Sequence, residues 1–177
     1  MKNGNKNDNL KEKLIQALNS TAKVISDDLG IKNNIEEKKK SQKFDFFNLE
    51  NLNTKNDFIK ARAEADSSAL KKRFSNNTIY QKNLPSNTSY KSLYSIAERI
   101  RYESLGAKML QGIEKNLKEN YDQIIKLKKK DQLKSKEDVP VIEAFELYML
   151  KKFHNIKLNS LTNDMLNFWE KDFDQAI

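Results

Sequence analysis

Six charged residues in this chain have the types and spacing to do chemistry: Arg62, Asp66 and Arg73, then Glu98, Arg101 and Glu103. On a helical wheel Phe58, Arg62, Ala65, Asp66, Ala69 and Arg73 share one face, at steps of three and four residues. The run Glu98-x-x-Arg101-x-Glu103 borders a second seam, formed by Leu93, Ile96, Ala97, Ile100 and Ser104. Paired carboxylates permit general acid–base work. Arginine forks beside them permit bidentate pairing, or the docking of another subunit. The simplest expectation is a structural network in which two helices cross and Arg62, Asp66, Arg101 and Glu103 satisfy one another. Breaking one partner of such a network, where it is buried, costs about 3–5 kcal/mol. No residue is assigned a catalytic role, because no spacing marks a nucleophile, an oxyanion hole or a phosphate-cradling glycine loop.

The arginines carry weight because they are rare. The chain has twenty-nine lysines and four arginines, and Arg62, Arg73, Arg99 and Arg101 all fall within forty residues. Where a diffuse positive charge suffices, lysine is used. Arginine then marks positions that need a planar, permanently charged fork. Glycine is as scarce. Gly106 and Gly112, two of four, lie in segments that read as helix. A helical glycine costs up to about 1 kcal/mol relative to alanine, so both are expected to mark close backbone approach or a break.

Composition narrows the function classes. With no cysteine, disulfides, zinc–thiolate sites and cysteine nucleophiles are excluded. The single histidine, His154, sits beside Phe153 at the end of an apolar helix and reads as a C-terminal dipole partner. No metal site is expected. The net charge of +8 in a Lys- and Asn-rich chain reads first as a solvated surface. The runs Lys38–Lys40 and Lys128–Lys130 lack the interleaved aromatics of single-strand binders. No apolar stretch is long enough for a membrane span, and the polar start lacks a signal core, so a cytoplasmic location is expected.

These groups must be positioned by helices. Residues 1–9 are expected to be a disordered tail. A first helix follows over 10–29 on the stripe Leu10, Leu14, Leu18, Ile25 and Leu29, with Gly30 as its stop. Residues 31–53 break the period and leave room for one small β-hairpin around 31–49. Thr54 and Asp57 form a capping box that opens a second helix reaching Phe74. A loop covers 75–88. A third helix runs from Ser89 to Gly106 and a fourth from Leu110 to Lys130, with Leu110, Ile113, Leu117, Tyr121 and Ile124 in register and continuity through the glycines left open. Ser135 and Asp138 signal another start, and Pro140 fits the first turn of a helix over 141–153 that is apolar nearly all round. A last helix over 161–175 presents Leu161, Met165, Phe168, Trp169 and Phe173. The fold class is mainly α: a single helical domain, 10–177, of five to six helices. The chain stops at Ile177 with no capping glycine or polar tail, which suggests a longer protein.

Three stretches, taken together, resemble a known family. They are Arg62-x-x-x-Asp66-x-x-Ala69-Leu70, Glu98-x-x-Arg101-x-Glu103-x-x-Gly106 and Gly112-x-x-x-Asn116-Leu117. In order and spacing they resemble the N-terminal region of the T subunit of aerobic cobaltochelatase, most closely over 55–120. After Arg73 this chain has Phe74-Ser75, where family members often have a His-Asp pair. The resemblance implies a part in vitamin B12 synthesis, in a complex that uses ATP to insert cobalt into hydrogenobyrinic acid a,c-diamide. It implies two partners, an AAA+ ATPase subunit and a large corrin-binding subunit. ATP and Mg2+ would belong to the ATPase and cobalt would be the substrate, with no cofactor in this segment. The family's acidic middle segment and its C-terminal von Willebrand A-type domain, with an Asp-x-Ser-x-Ser motif, do not occur in this sequence. The expected function is a non-catalytic assembly or regulatory segment of the chelatase. The rivals are a basic nucleic-acid-binding helical domain and a stand-alone enzyme using Asp66, Glu98 or Glu103.

Overall fold

A computed structural model describes residues 4–26, 54–128, 133 and 135–177. Among them are eight α-helices, one short 3-10 turn and no strand. The helices are α1 (Gly4–Ile25), α2 (Lys55–Phe74), α3 (Asn77–Lys82), α4 (Thr88–Met109), α5 (Gln111–Leu127), α6 (Val141–His154), α7 (Ser160–Asn167) and α8 (Glu170–Ala176). No described helix is long and apolar enough to cross a membrane. The mainly helical class holds, with more helices among the described residues than the five to six expected, the additional ones being short. The expected hairpin around 31–49 and the stop at Gly30 lie outside the described residues.

The differences have local causes. Helix α1 begins at Gly4, inside the stretch expected to be a disordered tail. The stretch read as loop after Phe74 contains α3, because the Asn76 side chain accepts from the Ile79 amide and starts a turn. Asn87 does the same for α4, accepting from Ser89 and Tyr90. Helices α4 and α5 are separate: Leu110 takes extended backbone angles (φ −137°, ψ 106°) between them. The Ser135–Asp138 box forms, yet it caps the 3-10 turn Lys136–Asp138, and Pro140 then leads into α6. The last predicted helix is two helices, parted at Phe168 and Trp169, where the indole N–H donates to the Val139 carbonyl at 3.1 Å.

Helix α2 opens as its sequence says. Thr54 accepts from the Asp57 amide, and the Asp57 carboxylate accepts from the Thr54 amide at 2.7 Å. Its interior is alanine-rich, and Ala61, Ala63, Ala65 and Ala69 are all buried. Small side chains let three helices, α1, α4 and α5, pack around it. Helix α6 is the second centre, with Ala144, Phe145, Leu147, Tyr148, Met149 and Leu150 buried against α4, α7 and α8. It ends at Asn155, whose left-handed backbone (φ 51°) lets the Ile156 amide reach back to the Leu150 carbonyl. Helix α4 packs on both centres and joins the two halves of the core.

The two glycines part company. A Cβ on Gly106 would lie 2.2 Å from the Cδ2 of Leu70, a side chain that is itself fully buried. Gly106 is therefore the point where α4 closes on α2. Gly112 is exposed near the start of α5, and a Cβ there would meet nothing within 4 Å. The expectation of close approach is corrected at Gly112. Gly106→Ala should lower stability by about 2 kcal/mol, since the buried Leu70 side chain must shift within the core to admit the added methyl. Gly112→Ala should be neutral or raise it by up to about 1 kcal/mol. Urea melts of the two variants check this, and equal behaviour would contradict the assignment.

Candidate functional site

The charged residues of α2 and α4 form three separate clusters, not one ladder. The deepest surrounds Glu103, which is 1% exposed. Ser67 of α2 donates to its Oε1 at 2.5 Å, and Tyr121 of α5 donates to its Oε2 at 2.6 Å. His154 of α6 brings Nε2 to 3.7 Å from Oε2. One carboxyl group of α4 thus meets three other helices at a single point. Burial raises the Glu103 pKa above the usual carboxylate range, although Ser67, Tyr121 and the Arg99 charge pull it down. The Tyr121 phenol is pushed well above its ordinary value, first by burial and then by Glu103. Beside this centre Arg99 pairs with Glu146 of α6 at 2.5 Å. Burial works against the Arg99 charge, yet Tyr121, Glu146 and Glu103 hold its pKa above the arginine norm.

The second cluster joins α2 to α5. Asp66 is buried and accepts from the side-chain amide of Asn116 at 2.7 Å. Its pKa is raised by burial, with the Asn116 hydrogen bond and the nearby Arg62 charge opposing. The third cluster joins α4 to the end of α2. Arg101 donates from Nε and Nη2 to the two oxygens of Glu98, at 2.7 and 2.9 Å, and from Nη2 to the Phe74 carbonyl at 2.7 Å. Ser75 also donates to Glu98 at 2.7 Å. Glu98 is held below the usual carboxylate range, chiefly by the Arg101 hydrogen bonds. Arg73 does similar work for α1, donating to the Ile25 carbonyl at 3.0 Å near that helix's end.

The expected cross-contact among Arg62, Asp66, Arg101 and Glu103 is therefore corrected. Arg101 does carry a bidentate contact, but to Glu98, one turn away on its own helix. Neither Asp66 nor Glu103 lies among its partners. The reason is register. Arg101 follows Glu98 by three residues on the outer side of α4, while Glu103 turns inward toward α2 and α5. Sequence reasoning missed Ser67, Asn116, Tyr121, Arg99 and Glu146 as partners. Arg99 had a signal, being one of four arginines, and Asn116 stands in the family pattern. Tyr121 read only as an apolar position in the register of α5.

Because the pair is half-exposed, Arg101→Lys should cost only about 0.5–1 kcal/mol. The side chains of Arg101 and Glu98 are 46% and 16% exposed. A lysine keeps the charge but cannot hold both Glu98 oxygens and the Phe74 carbonyl at once. Lys115→Arg, at an exposed site on α5, serves as the control in a thermal melt. Lys128 is unsuitable because it pairs with Glu143 at 2.7 Å. Identical melts for the two variants would remove any special role for the fork at position 101.

A cleft of about 470 Å3 lies over the Glu103 centre. Ser67, Arg99, Glu103, Tyr121 and Glu146 are among its polar lining, and Leu117 and Ile124 among its apolar walls. Both Glu103 oxygens already accept hydrogen bonds, and Arg99 already holds Glu146. The carboxylates are satisfied, although the buried Arg99 Nε and His154 Nε2 have no hydrogen-bond partner, so the evident work of the cluster is to lock α2, α4, α5 and α6 together. Among the described residues no group of three or more His, Cys, Asp or Glu is placed to hold a metal ion. His154 is the last residue of α6, as expected, but burial lowers its pKa to about 4, with Lys118 and Arg99 adding to the effect. The imidazole is neutral at neutral pH, so its expected role as a charged dipole partner is corrected.

No curated protein and no solved structure matches this chain. A family model does, over residues 8–177, and its description is cobalamin biosynthesis protein CobT. The match takes in α2, α4 and α5, which carry the three quoted stretches, and extends through α8. The chain belongs to the CobT family, whose role is in cobalamin biosynthesis.

Proposed function

We propose that this chain is a non-catalytic assembly module of an ATP-dependent cobaltochelatase, the complex that inserts cobalt into hydrogenobyrinic acid a,c-diamide in aerobic B12 synthesis. The observation that carries the proposal is the state of the buried and half-buried carboxylates. Glu103 is held by Ser67 and Tyr121, Asp66 by Asn116, and Glu98 by Arg101 and Ser75. Each ties one helix to another or fixes a helix end. That is the construction of a rigid scaffold, and a scaffold's function lies in what it holds. In this reading the AAA+ partner binds ATP and Mg2+, and the large subunit holds the corrin and receives cobalt as substrate. The module works in the cytoplasm.

The test combines purified chain, ATPase subunit and large subunit. The chain is expected to co-elute with the ATPase subunit on size-exclusion chromatography in the presence of ATP and Mg2+. Cobalt insertion is expected only when all three proteins are present. Turnover of ATP or corrin by the chain alone would overturn the non-catalytic reading. Failure to associate with either partner would overturn the assembly reading.

A further inference from the structure

Helices α4 and α6 leave a groove of about 340 Å3 between their C-terminal halves. Its apolar lining includes Leu105 on α4 and Met149 and Phe153 on α6. Met109 follows Leu105 by one turn, and Phe153 follows Met149 by one turn, so each helix carries a short apolar ridge. Leu105 is 38% exposed, Met109 55% and Phe153 53%. Large apolar side chains this exposed, and grouped on one face, mark a surface that another protein covers.

We propose that this groove docks an acidic amphipathic helix of a partner protein. Two observations choose the occupant. The walls are two helices whose backbone groups are already bonded within themselves. An extended peptide would find no edge to pair with and would bury unpaired amides, whereas a helix arrives with its own hydrogen bonds made. The charge on the groove's own lining is positive, although Arg101 is also held by Glu98 and Glu114 lines the adjoining cavity, so Lys108 is the cation left to meet a partner. Arg101 and Lys108 are the only charged residues lining it, and no carboxylate does. Lys108 makes no hydrogen bond or ion pair with any described residue. A helix that places leucines between the ridges and carboxylates along its flanks fits both features.

The proposal rests on the assembly reading for its biological setting, but its test does not use the chelatase subunits. The probe is a fluorescent helical peptide about four turns long, with leucines at i, i+4 and i+7 and glutamates flanking them. A twin carries lysines in place of the glutamates. Anisotropy titration against the whole chain is expected to show the acidic peptide binding at least about tenfold tighter than its twin. Phe153→Ala should weaken it about tenfold, since it removes the central anchor of a small interface. Lys108→Glu should narrow the gap between the peptides. Leu105, Lys108 and Phe153 are all at the surface, so melting temperatures of variants at these positions should stay near that of the parent and confirm folding.

Equal affinity for the two peptides would overturn the proposal. So would acidic-peptide binding that Phe153→Ala and Leu105→Ala leave intact, which would place the site elsewhere. A concentration-dependent dimer that the same substitutions abolish would overturn it in favour of a second copy of this chain. Peptide binding without ATPase association would sink the assembly reading and leave this site standing.

Discussion

Glu103→Ala is expected to lower the unfolding free energy by about 3–5 kcal/mol, the range for breaking a buried charged network from one side. The loss has three sources. Half-buried Ser67 and buried Tyr121 lose their acceptor. Arg99, half-buried, loses a nearby negative charge. A cavity also opens where four helices meet. Glu103→Gln separates these effects, because it keeps the volume and both Ser67 and Tyr121 can turn their hydroxyls to suit an amide. Its expected cost is about 1–2 kcal/mol, and that cost should grow at low pH, where the Glu103 contribution is fully present. Glu103 has a raised pKa in the folded state. Its contribution is thus fully present below the unfolded carboxylate pKa, where the group is protonated in both states. It is lost as pH rises through the folded value, as the charge becomes costly. Urea titrations of the three proteins measure this directly. An alanine variant within about 1 kcal/mol of the parent would mean the network does not hold the helices together.

The parts of this fold that could be read from the sequence are those fixed by local rules. The Thr54–Asp57 box needs only two side chains three residues apart, and it forms where it was placed. The apolar body of α6 is buried over most of its length, and Ile113, Leu117 and Tyr121 of the α5 stripe are buried, whereas Leu110 and Ile124 in the same register stand exposed and Ile125 takes the inner position. The partners of the charged residues are a different matter. Glu103 meets Ser67 and Tyr121, which lie 36 and 18 residues away, and Arg99 meets Glu146 across 47. Those meetings depend on how helices cross, and no spacing within one helix encodes a crossing. Arg101 shows the same limit. Its rarity pointed to a bidentate contact, and that contact exists, but the nearest carboxylate on its own helix took it. Gly106 and Gly112 were indistinguishable as letters. Only the position of Leu70 tells them apart.

Acidification should draw on this fold's stability through His154 before the ordinary carboxylates titrate. Its imidazole is enclosed at the end of α6, with its ring 5.8 Å from that of Tyr121 and its Nε2 facing Glu103 without a hydrogen bond. Burial lowers its pKa from 6.5 to about 4, with Lys118 and Arg99 opposing the charge further and Glu114 favouring it weakly. A lowered pKa means the folded state binds fewer protons than the unfolded state between those values. The stability it contributes is present above 6.5 and is lost as pH falls through about 4. Linkage puts the loss from this one group at about 2 kcal/mol by pH 5 and about 3 kcal/mol by pH 4. Glu103 and Asp66 act in the opposite sense, because their raised pKa values make the folded state take up protons over part of the same range. The measured slope of the parent is therefore a difference, and a variant is needed to isolate the histidine. His154→Phe keeps a ring in the site and cannot be charged. Between pH 7 and pH 5 it should lose about 2 kcal/mol less than the parent in urea denaturation. Parallel losses in the two proteins would show that His154 titrates alike in the folded and unfolded chains, and that the contact between α6 and the Glu103 centre is open to water.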